Sequence, residues 1–342
     1  MKNLLNILKY ALLLAVSGLL MAYAIRGQDL SRLGQTLREA NYGWLVLTLA
    51  FSTVGYASRA YRWKMQLDSA KSVAAHPTYA DVYHAMMVGY LANLVLPRMG
   101  EVIRCSVLRR TGRVPVEVSL GTVVAERIID VVVLLSLLGA TLLIDFTKFW
   151  AWVSEWLVSG RYDALARNRN TLLVAAVHTV LLLAGALFGL LHNLERLRQN
   201  TFFNRLVSFV RGMLAGVFSV LKMERKGLFL FHTIFTWLIY FLSSYLTFFA
   251  FPETSGLGLG AGLAVLTFGA FGMAAPVSGG IGTFHLMVQS TLLVYGISKG
   301  GGIAYALVAH GAQTLLVVLL GGISFVVSMT RTGQREVLRV KV

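Results

Sequence analysis

Two short stretches carry charge where an apolar chain has little reason for it. The first is "NLVLPRMGEVIRCSVLRR", Asn93–Arg110, with Arg98, Glu101 and Arg104 set among Leu, Met, Val and Ile. The second is "VVAERIIDVVVLL", with Glu126, Arg127 and Asp130. An ionisable side chain at mid-bilayer costs roughly 2.5–3.5 kcal/mol on insertion scales, so such residues belong in a bundle interior or a wet cavity. Glu126 and Asp130 are one helical turn apart and share a face, and Arg127 and Asp130 are close at a spacing of three. Three arginines (98, 104, 127) oppose three carboxylates (101, 126, 130), the balance expected of a mutually paired buried network. The chemistry this implies is anion binding, because the planar guanidinium fork suits a phosphate. The plain alternative is a salt-bridge clasp that only holds two helices together.

A third stretch, "PVSGGIGTFH", supplies Gly279, Gly280 and Gly282 and then His285. Exposed backbone N–H groups of such a run can line an anion or headgroup site. Gln289 lies one turn beyond His285, and His310 and Gln313 sit in the last apolar block. Together these polar residues read as the lining of a pathway, with His285 and His310 as candidate proton carriers. His84 is a further candidate. Their spacing gives no third metal ligand, so no metal site and no cofactor is expected.

The elements that position these residues are long apolar blocks. The chain has 342 residues, 56% hydrophobic and 13% charged, about half the charge of a soluble domain. The class is an all-α polytopic membrane protein, with 1–342 a single membrane domain. Full spans are expected near 4–25, 43–62, 115–144, 171–192, 228–250 and 303–328. The block at 79–110 is broken at Pro97 and Gly100, and that at 257–296 at Pro276. The arm after each break is too short for the ~20 residues a span needs, so both blocks are expected to be re-entrant hairpins. Pro97 removes an N–H, and Gly100 permits an unusual backbone angle. The N-terminal block lacks a convincing cleavage site and reads as a retained helix. Trp150, Trp152 and Trp156 read as an interfacial anchor, and 193–226 as a basic surface helix on anionic lipid.

Placing both termini in the cytoplasm puts most of the 31 Lys and Arg, including those at 59–71, on the inside. The net charge of +16 then reflects attraction to an anionic bilayer surface, not nucleic acid. Each half runs span, amphipathic helix (near 29–40 and about 200–222), span, hairpin, span. The halves, 1–160 and 165–342, start on opposite sides, which is an inverted repeat of the transporter kind. The lone Cys105 precludes an intrachain disulfide.

The run Pro97, Gly100, Glu101, Arg104, with Glu126, Arg127 and Asp130 and then "PVSGGIGTFH", resembles the flippase-like family of the lysylphosphatidylglycerol synthase transmembrane region. Arg98 stands one place early for the family's usual arginine. At the second break the family commonly has an acid where this chain has His285, and in the last span an arginine where it has His310. The paired change implies a distinct subgroup with its own substrate. The chain stops at Val342, so the resemblance implies a stand-alone member without the synthase domain. It further implies a non-enzymatic lipid flippase of the bacterial inner membrane, moving a phosphate-bearing lipid through a midplane cavity. With no ATP-binding motif, its energy would come from gradients or none would be used. The alternatives are a membrane enzyme acting on lipid headgroups, or an accessory subunit of a lipid or envelope-glycan pathway.

Overall fold

The apolar blocks are realised as helices. A computed structural model describes residues 15–70, 76–96, 98–156, 211 and 223–340, with side chains at all of these except 32, 152–156 and 331–340. The expected span at 171–192, the amphipathic segment at 200–222, most of 193–226, the start of the first span and Pro97 lie outside the described residues. The chain divides into one unit of Met1–Ile144 with Met213–Val342 and another of Asp145–Gly212. In the second unit a helix, Phe146–Trp156, carries the tryptophan-rich stretch, and Phe146 stacks on Trp150 with centroids 6.1 Å apart.

The first unit contains α1 (Ala15–Ile25), α2 (Leu30–Glu39), α3 (Tyr42–Asp68), α4 (Tyr79–Val95), α5 (Gly100–Gly112), α6 (Val116–Ile144), α7 (Lys226–Phe248), α8 (Leu259–Ala274), α9 (Thr283–Val294) and α10 (Lys299–Val340). All regular structure among the described residues is helical. Among them three helices are long and apolar enough to cross a membrane: α6, α7 and the Lys299–Thr330 part of α10. They leave Val131, Leu135, Leu143, Ile234 and Leu319 exposed, the pattern of helices solvated by hydrocarbon. The helix expected to end near residue 62 continues to Asp68. Its last turns bury Arg62, Trp63, Gln66 and Leu67 at 0–1% exposure, so Arg59 and Arg62 belong to a packed helix and not to a basic loop.

Each interrupted block is a pair of packed helices. In the first, a Thr78–Asp81 capping box starts α4. A Cβ on Gly112 would lie 3.0 Å from Pro77, and one on Gly100 would lie 2.2 Å from the Gly89 carbonyl oxygen. The two arms therefore run antiparallel. The backbone freedom that Gly100 permits is not used. Gly100 is the first residue of α5, its N–H donates to Asn93 Oδ1 at 2.8 Å, and it is small because α4 presses on it. The left-handed residue of this break is Arg98, φ +63°. The second break departs from this pattern. Gly279, Gly280 and Gly282 all have positive φ (+56°, +76°, +85°), which only glycine adopts cheaply. There Gly272 packs on Phe284, and Gly269 on Phe284 and Val288.

The tips of the two hairpins touch. Gly279 lies against Leu94, and the Arg98 guanidinium donates to the Ala274 carbonyl at the end of α8. Two apolar cores flank this meeting. One joins Ala24, Leu33 and Leu45 to Phe248, Val288, Leu292 and Ile303. The other joins Trp63, Met86, Leu108 and Val123 to Val317. Each core therefore draws on both expected halves of the chain.

Candidate functional site

Beneath the first hairpin lies a buried ion cluster. Arg59 and Arg62 share one face of α3 at a spacing of three, and Glu126 and Asp130 share one face of α6 at a spacing of four. Arg59 Nε donates to Glu126 Oε1 at 2.7 Å, and its Nη2 lies 2.9 Å from Asp130 Oδ2. Arg62 Nη2 donates to Asp130 Oδ1 at 2.8 Å. Arg104, on the return arm α5, donates to Glu126 Oε2 at 2.8 Å and lies over the Trp63 ring, 4.5 Å from its centroid. The Glu126 side chain is fully buried, and those of Arg62 and Arg104 are 1% and 3% exposed. Buried charges of this kind persist because each finds an opposite charge in good geometry. A separate pair, Arg127 with Glu101 at 2.5 Å, ties α6 to the start of α5 with the arginine 43% exposed.

This arrangement corrects the balance expected from the sequence. Arg59 and Arg62 join the cluster, so five arginines face three carboxylates. Arg127 pairs with Glu101 and not with Asp130. Arg98 meets no carboxylate among the described residues; it contacts a backbone carbonyl.

A cavity of about 530 Å³ opens between the hairpin tips, α3, α6, α7 and α10. Its lining includes the charged residues Arg59, Arg98, Glu101, Arg127 and Asp130. It also includes apolar side chains, Leu134, Trp237, Met273, Phe284 and Val317 among others. A hydrogen-bonded track connects α3 to α10 and α7 along its wall. Tyr56 Oη donates to Gln313 Oε1 at 3.1 Å, Gln313 Nε2 donates to Ser52 Oγ at 2.6 Å, and Ser52 meets Ser243 at 3.2 Å. Tyr240 accepts from Arg59 Nη1 at 3.0 Å. The hydroxyls of Thr48 and Tyr90, on lining residues, are buried and have no hydrogen-bond partner among the described residues.

Of the residues singled out in the sequence, Arg98, Glu101, Arg127, Asp130, Gly279, Gly280, His310 and Gln313 line the cavity. Arg104 and Glu126 do not: they lie behind the wall and hold Arg59 in it. Gly282 packs against Leu20 and Met21 of α1. His285 is buried, with its ring centroid 5.0 Å from that of His310. His310 Nε2 lies 2.8 Å from the Gly279 carbonyl, an acceptor, so that nitrogen carries the hydrogen. Gln289 donates to the carbonyls of Ala24 and Lys299 (3.3 and 3.1 Å), which makes it a brace away from the cavity. His84 lies 3.0 Å from Ser324 on α10, also away from it. Pro276 and the described part of the first break shape the tips. Among the described residues no three His, Cys, Asp or Glu side chains gather as a metal site would require.

Sequence reasoning missed Arg59, Arg62, Tyr90 and Tyr240. The signal for the arginines was present: Arg59, Arg62 and Gln66 recur at spacings of three and four, with Trp63 and Leu67 continuing the helix beyond them.

A family model described as the lysylphosphatidylglycerol synthase TM region matches residues 10–321. No curated protein and no solved structure matches the chain.

Proposed function

The chain belongs to the family of the lysylphosphatidylglycerol synthase transmembrane region, and from that premise we propose that it is a lipid transporter, moving a phosphate-bearing lipid between the leaflets of a bacterial inner membrane. The observation that carries this reading is one cavity lined both by arginines and by apolar side chains, with the tips of two helical hairpins in its wall. The arginines suit a phosphate headgroup, and the apolar side chains suit the start of an acyl or prenyl tail.

In this mechanism the hairpins are re-entrant, related as an inverted repeat, and enter from opposite faces with both termini cytoplasmic. Arg98 and Arg127 meet the phosphate. Glu126, Asp130, Arg62 and Arg104 position Arg59 and do not themselves touch the lipid. Because Arg59 is already neutralised by two carboxylates, the phosphate is held without a deep trap and is released on the far side. The track through Gln313 and Ser52 offers hydrogen bonds to the rest of the headgroup. Alternation between faces requires the contact between the tips, Arg98 to Ala274 and Gly279 to Leu94, to open.

Purified protein in vesicles containing a trace of tail-labelled fluorescent phospholipid tests this. Inner-leaflet label becoming reducible by an outside quencher at least tenfold faster than in protein-free vesicles is the expected result. No acceleration for any phosphate-bearing lipid would sink the transport reading. Recovery of a chemically altered lipid by mass spectrometry would replace it with an enzyme acting on headgroups.

A further inference from the structure

The charge arrangement at the cavity narrows the class of headgroup it accepts. Asp130 Oδ1 takes Arg62 at 2.8 Å and Oδ2 takes Arg59 at 2.9 Å. Glu126 Oε1 takes Arg59, and Oε2 takes Arg104 at 2.8 Å. Glu101 Oε1 takes Arg127 at 2.5 Å, and its Oε2 is buried, with no hydrogen-bond partner among the described residues. Every reachable carboxylate oxygen at the site therefore already carries an arginine, and an incoming ammonium group finds no free counter-ion.

The cations are placed differently. Arg98 lines the cavity with only a neutral backbone carbonyl beside it, and Arg127 is half exposed to the same space. Five arginines against three carboxylates leave two positive charges uncompensated among the described residues of the site. Unneutralised charge between low-dielectric walls is costly, and an anion of matching charge relieves the cost. A phosphomonoester carries about −1.5 to −2 near pH 7. A phosphodiester carries one charge, and an attached amine cancels it.

We propose that the headgroup this cavity accepts is a lipid phosphomonoester without an amine, and that zwitterionic and aminoacylated phospholipids are rejected. The proposal rests on the transport reading for the site's purpose, but its chemistry is separately measurable. Thermal unfolding of the purified full chain in detergent is followed with phosphatidic acid, phosphatidylglycerol, phosphatidylethanolamine, an aminoacylated phosphatidylglycerol or inorganic phosphate added. The vesicle assay is run with tail-labelled versions of the four lipids.

Phosphatidic acid should stabilise at a concentration about tenfold below phosphatidylglycerol, with the two amine-bearing lipids weaker still. Arg98→Gln should shrink the preference over phosphatidylglycerol to about threefold or less, and Arg98→Lys should retain it. If Arg98→Gln does not fold, Arg127→Gln supplies a second test and should shrink the same preference. Equal stabilisation by an amine-bearing lipid overturns the proposal. So does inorganic phosphate acting at the same concentration as phosphatidic acid, since that makes free phosphate the ligand. Transport of all four lipids at one rate, with no selective stabilisation, removes the proposal and leaves the transport reading. Selective stabilisation by phosphatidic acid with no transport upholds the proposed site and removes the transport reading.

Discussion

The break at 96–99 and the break at 275–282 both turn an apolar helix back on itself, and they are held by different means. The return arm of the first, α5, is fastened to α6 by charge, through Arg104 with Glu126 and Glu101 with Arg127. The second hairpin, α8 to α9, has no Asp, Glu, Lys or Arg between Leu259 and Val294. Its turn depends on three glycines of positive φ, on Thr283 Oγ1 donating to the Gly272 carbonyl at 2.7 Å, and on His310 donating to the Gly279 carbonyl. On the proposed transport reading, an anion entering between the tips would meet charged side chains on the first hairpin and only hydrogen-bond donors on the second. The contact between the tips has the same asymmetry, since the first hairpin supplies a guanidinium and the second a carbonyl.

Removing the charge that fastens the first hairpin should have the largest effect. Glu126→Ala strands Arg104, Arg62 and Arg59 without their shared carboxylate, at an expected cost of about 3–5 kcal/mol. Loss of folded protein, or a steep fall in unfolding temperature in detergent, is the readout. A variant as stable as the parent would mean that charge does not hold this hairpin. Next in size is a backbone change in the second hairpin. An added Cβ in Gly282→Ala would meet Leu20 Cβ at 2.5 Å and Met21 N at 2.9 Å, at φ +85°. About 1–3 kcal/mol of destabilisation is expected from strain and overpacking. Added salt should leave this loss unchanged, because no charge is involved; a salt-dependent loss would erase the contrast between the hairpins. The smallest stability effect belongs to Arg127→Gln. Its pair with Glu101 is half exposed, so less than about 1 kcal/mol should be lost. Vesicle transport should nevertheless slow about tenfold. A large stability loss with unchanged transport would make Arg127 part of the fastening and not of the headgroup site.

Among the described residues, the helices and both breaks were legible because length and apolar patterning fix them. Glu126 and Asp130 were legible as one face, and the structure puts both on Arg59 and Arg62. Those two arginines were not read as buried. Basic residues at the end of an apolar stretch have the composition of a cytoplasmic loop, and only the turn spacing beyond Trp63 shows that the helix continues. Gly100 was assigned to a break for its backbone freedom, whereas a carbonyl on the facing helix requires its small size. That contact is tertiary and leaves no local trace. Nor does the sequence separate Arg98, which faces the cavity, from Arg104, which is sealed behind it; six residues of helix and hinge change which way each side chain points.

The brace formed by Gln289 bears on how the chain is made. It holds the Ala24 carbonyl across 265 residues of sequence, and Gly282 sits on the same helix, α1. At ribosomal rates of about 5–20 residues per second, α1 waits roughly ten to fifty seconds after synthesis for these partners. During that interval Ala24 has only its early core partners such as Leu33 and Leu45 available, and the first core cannot close until α9 has been delivered.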